Sequence, residues 1–86
     1  MSVVTVRDTA HGCEVWAHSG GAQEVAAYLR GQGLLVDGPV VDIRTNMQLM
    51  SVRMPEGDPL LAEQVRPLLN ANLDFKVVDW PLPPEA

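Results

Sequence analysis

Apolar and polar positions change rhythm several times along this chain, and each change marks an element. Ser2 to Arg7 alternates around β-branched residues, the period-two pattern of a strand. Val4 and Val6 share one of its faces; Val3, Thr5 and Arg7 share the other. Asp8-Thr9-Ala10-His11-Gly12 is rich in turn formers. Cys13 to His18 alternates again and is predicted to return as the second arm of a hairpin. Cys13, Val15 and Ala17 then lie on one face, and Glu14, Trp16 and His18 on the other. The smaller, apolar set is predicted to face helices.

The rhythm lengthens after Ser19-Gly20-Gly21. Ala22, Val25, Ala26 and Leu29 recur at helical spacing, which predicts a helix from Ala22 to Arg30 with one buried stripe. Ser19 is its expected side-chain cap, and Gly31 and Gly33 its expected end. Leu34-Leu35-Val36 reads as a short apolar link and Asp37-Gly38-Pro39 as a turn. Val40 to Thr45 and Met47 to Met54 are predicted strands joined by a tight turn at Asn46, or one long bent strand. Asp58-Pro59 predicts a helix start, with Leu61, Val65, Leu68 and Leu69 on its buried stripe. Pro67 predicts a kink there, or a break near Arg66. Phe75 to Trp80 is the last predicted strand.

The predicted order is strand, strand, helix, strand, strand, helix, strand. Without the first strand it is β-α-β-β-α-β, the ferredoxin-like arrangement. The expectation is one α+β domain over residues 1–80, with two helices on one face of an antiparallel sheet and an extra N-terminal strand. That strand pairs with the second one or displaces an edge. Residues 81–86, rich in proline, are expected to form an extended tail.

Composition narrows the function classes. The 86 residues make room for one small domain, and only 5% are aromatic, so the core must be largely aliphatic. Net charge is −5, and the six Lys and Arg residues are scattered singly. Phosphate backbones are bound by clustered cations, so neither nucleic acid nor an anionic membrane is an expected partner. The single cysteine excludes an intrachain disulfide and suits a reducing compartment. No stretch reads as a signal peptide or approaches the roughly 20 apolar residues of a membrane helix. A cytoplasmic location is the expectation.

Candidate chemistry is sparse. If the registers hold, the sheet face away from the helices carries Glu14, Trp16, His18, Asp42, Arg44, Lys76 and Trp80. Exposed tryptophan among mixed charges suits a binding or dimer surface; the plainer reading is that both tryptophans plug the edges of a thin core. His11, Cys13 and His18 include zinc-ligand types, but His18 has the opposite parity to Cys13, and no metal motif is present. Neither metal nor cofactor is expected. Cys13 sits mid-strand beside Glu14, the wrong charge for a reactive thiol. Ser19, Gly20 and Gly21 precede a helix whose free N–H groups could hold a small anionic ligand, although a plain helix cap explains them as well.

These observations favour a small non-enzymatic binding or regulatory module, a homodimer through its open sheet face or an edge strand, with a protein partner or small anion as other occupants. The alternative is a small enzyme or enzyme subunit with its pocket on that face at a dimer interface. His18, Asp42 and Arg44 would be its first polar groups.

Overall fold

The computed structural model describes residues 2–10, 12–18, 20–58 and 60–79. The elements run β1 (Ser2–Thr9), β2 (Gly12–Ala17), α1 (Ala22–Gly31), β3 (Leu35–Asp42), β4 (Met47–Arg53), α2 (Ala62–Asn70) and β5 (Phe75–Val77). The expected alternation of strands and helices is present in order. Ser19, Pro59, Trp80 and the tail at 81–86 lie outside the described residues, as does His11.

The five strands form one sheet in the order β3-β4-β2-β1-β5. β1 pairs antiparallel with β2, setting Val4 against Ala17, Val6 against Val15 and Asp8 against Cys13. On its other side β1 pairs in parallel with β5, Val3 opposite Lys76. The sheet is therefore mixed, which corrects the expectation of an antiparallel ferredoxin-like sheet. The cause is the N-terminal strand. It enters between β2 and β5 instead of adding to an edge, and its direction makes the β1–β5 pair parallel.

Both helices pack on one face. Val4, Val6, Cys13, Val15, Ala17, Val36, Met50 and Val52 from the strands form one cluster with Val25, Ala26 and Leu29 of α1 and Val65 and Leu69 of α2. Alternation puts each of these strand residues on the same side, so the period-two pattern alone selects the core face. The helices also meet each other. The Tyr28 hydroxyl donates to the Leu68 carbonyl at 2.7 Å, and the Tyr28 ring meets Phe75 edge-on at 5.4 Å.

α1 buries the predicted stripe of Ala22, Val25, Ala26 and Leu29. Its end is a Schellman motif: the Gly33 N–H bonds to the Arg30 carbonyl, the Leu34 N–H to that of Leu29, and Leu34 joins Leu29 in the core. α2 departs from expectation at its start. It begins at Ala62, not at Asp58-Pro59. Its first N–H groups find partners elsewhere: the Asp8 carboxylate accepts from Ala62 N at 2.7 Å, and Gln64 Oε1 accepts from Leu61 N at 2.8 Å. The helix runs through Pro67 to Asn70. The carbonyl that Pro67 leaves without an N–H belongs to Glu63, an exposed residue on the solvent side, where water can serve it.

β3 begins five residues earlier than predicted and ends three earlier. Of the link and turn read at 34–39, residues 35–39 are strand, because the extra residue is absorbed in a bulge. Register shifts between Asp37, opposite Ser51, and Val40, opposite Leu49. Gly38 makes the bulge possible: its φ is 110°, and a Cβ there would stand 3.0 Å from the Leu49 carbonyl oxygen. β5 is shorter than predicted, ending at Val77, although the Val78 N–H still bonds to Val4 O.

Candidate interaction face of the sheet

The strand registers lay out the helix-free face as rows. One row runs Asp42, Met47, His18, Val3, Lys76; the next runs Val40, Leu49, Trp16, Thr5. A third carries Asp37, Ser51, Glu14 and Arg7. Trp16 therefore has the parity read from the sequence, and it lies outside the helix-side cluster. Its exposure differs from expectation. Trp16 is only 7% exposed, and its neighbours Thr5 and Met47 are 1% and 6% exposed. The centre of this face is closed, so Trp16 offers no apolar surface to a ligand. The open apolar positions lie at its margin, where Leu35 is 42% and Val40 57% exposed.

Two polar side chains near the centre, Thr5 and His18, face each other. Thr5 Oγ1 and His18 Nε2 are 2.7 Å apart, a diagonal pair across β1 and β2. Burial lowers the His18 pKa from its ordinary 6.5, so the ring is neutral at physiological pH. Thr5 is the residue that the sequence reading passed over here; a threonine facing a histidine one row along the adjacent strand is the signal that could have found it.

Asp42 closes the β3–β4 connection. Its Oδ2 accepts from the Thr45 hydroxyl at 2.8 Å and the Thr45 N–H at 3.1 Å. Asn46, with φ 59°, takes the left-handed position predicted for it. Arg44 belongs to that turn and not to a strand, which corrects its placement on the sheet. Asp42 and His18 share a row, but Met47 stands between them. Two strand spacings separate them by roughly 10 Å, so they do not form a hydrogen-bonded acid–base pair.

The predicted cap, Ser19, lies outside the described residues. Gly21, with φ 78°, is the N-cap residue, and among the described residues no side chain caps the helix there. Ser2 occupies the space where a Cβ of Gly21 would stand, and Glu24 brings a carboxylate to the same place. Glu24 already supplies the negative charge that this helix end favours, which leaves it poorly suited to a second anion. Gly20 is exposed beside it. Ser19 and Trp80, the other two candidates, fall outside the described residues.

Cys13 is buried in the core, and burial with the neighbouring Asp8 and Glu14 carboxylates pushes its thiol up to about 11. Such a thiol is a packing group, not a nucleophile. Among the described residues no cluster of His, Cys, Asp and Glu could hold a metal ion. A half-open depression of about 470 Å³ lies at the opposite end of the sheet, between Thr9, Arg53, Asp58 and Leu60. Among the described residues its one cation, Arg53, is already 3.5 Å from Asp37. No described helix is long and apolar enough to cross a membrane. No family model, curated protein or solved structure matches the chain.

Proposed function

We propose that this chain is a small non-enzymatic binding module that associates with a second copy of itself through its sheet. The observation that carries the reading is the margin of the helix-free face. Leu35 and Val40 stand exposed on the outermost strand, while the interior of the same face is closed. Apolar groups left in water on an edge strand gain by being covered. Separation of His18 from Asp42 and burial of the Cys13 thiol weigh against the enzymatic alternative. With β1 set aside, the order β3-β4-β2-β5 and the two helices on one face support a split β-α-β-β-α-β, ferredoxin-like plan with β1 as an insertion into it. A lone buried thiol fits a cytoplasmic setting.

Sedimentation equilibrium over a dilution series tests the reading. The expected result is a weight-average mass that climbs toward that of a dimer as concentration rises. A mass fixed at the monomer value throughout contradicts it.

A further inference from the structure

We propose that two copies pair edge to edge along β3, antiparallel, about a twofold axis through Val41, with contacts confined to Pro39–Ile43. This rests on the self-association reading above and names its geometry.

β3 is an outer strand, hydrogen-bonded to β4 on one side only. Its two halves differ. Over the first half, Arg30 reaches from α1 and donates Nη2 to the Val36 carbonyl at 3.0 Å and the Gly38 carbonyl at 3.2 Å. Those carbonyls would otherwise invite another strand, and a cation laid across them closes that part of the edge. The bulge between Asp37 and Val40 and the missing N–H of Pro39 add to the closure. Beyond Pro39 the edge is open. Val41 is 57% exposed and Ile43, at the start of the turn, 92%. Together with Val40 they place three exposed β-branched residues within four positions.

Self-complementarity selects a second copy as the occupant. Residues opposed across an antiparallel ladder share a face. With Val41 opposite Val41 of the second copy, Pro39 opposes Ile43 on the same face, and the reciprocal contact follows by symmetry. An unbroken apolar row results. On the other face Val40 covers the stem of Asp42 of the second copy. The two neighbouring registers that preserve the faces are poorer. Centring on Val40 carries Asp42 and Ile43 onto Gly38 and the bulge, the part of the edge that Arg30 closes. Centring on Asp42 sets two carboxylates against each other, which is destabilising. The twofold operation is the commonest one for homo-oligomers, and it makes every contact reciprocal.

A residue on the axis faces itself, and that supplies the test. In Val41→Glu the two introduced carboxylates oppose each other. The dimer dissociation constant, measured by sedimentation equilibrium from about 10 μM to about 1 mM, is expected to rise at least about tenfold. Circular dichroism should show that the exposed substitution leaves the fold intact. In Val41→Cys, oxidation with glutathione is expected to give a covalent dimer faster than in Val40→Cys, because directly opposed positions meet disulfide distances. Buried Cys13 does not compete. A wild-type dimer that Val41→Glu leaves unchanged, or equal cross-linking of the two cysteine variants, overturns this register and leaves the self-association reading standing. A wild-type chain that stays monomeric across the range overturns both.

Discussion

The two faces of the sheet bury their residues for different reasons. Under the helices, Val4, Val15, Met50 and Val52 are sealed because each is apolar, has the right parity, and meets α1 or α2. On the opposite face burial follows position: Thr5, Trp16 and Met47 in the interior are closed, while Leu35 and Val40 at the β3 margin are open. Hydrophobic pattern decides the first face, whereas on the second a threonine and a tryptophan are closed alike. On that face the apolar surface left in water lies at the margin and not around the tryptophan.

Substitutions can break or sharpen that contrast. Leu29→Ala, in the middle of the helix-covered core, should cost about 3 kcal/mol in urea unfolding, the transfer and cavity cost of a large-to-small change. Trp16→Ala should also be costly, about 2 kcal/mol, since its ring is enclosed although no helix covers it. A cost near zero for Trp16→Ala would return that ring to the surface and dissolve the contrast. At the rim of the helix-covered face, Asp8→Ala removes the distant cap of α2 and should cost about 1 kcal/mol. The smallest effect is a pH dependence from His18. Its folded-state pKa lies below the ordinary 6.5, so the folded chain binds fewer protons than the unfolded chain just below that value. Stability is full above about pH 6.5 and falls as pH drops through the lowered folded pKa. His18→Gln, compared by thermal melting across that window, should flatten this part of the profile.

Local signals in the sequence carried the fold a long way. The stripe of α1 and the parity of β2 were legible because a period of apolar residues and a helix-ending glycine are properties of neighbouring positions. What escaped is non-local. Asp58-Pro59 has the composition of a helix start, yet the carboxylate on the first N–H of α2 is Asp8, 54 residues away. Asp37-Gly38-Pro39 has the composition of a turn, and only the ladder to β4 reveals a bulge within a strand. The insertion of β1 between β2 and β5 leaves no local trace, since either pairing satisfies the same alternation. Of the candidate site, the parity of Trp16 could be read and its enclosure could not, because enclosure depends on what the fold brings around the ring and not on neighbouring positions. The open residues Leu35 and Val40 were hidden inside segments read as a link and as a strand end.

A concentration series of amide correlation spectra tests the central claim, that association occurs at the open half of the β3 edge. The account predicts progressive shifts or broadening at Val40, Val41 and Ile43, with Val36, beneath the Arg30 contact, unmoved. Changes centred on Trp16 and His18, or no change anywhere at millimolar concentration, would contradict it.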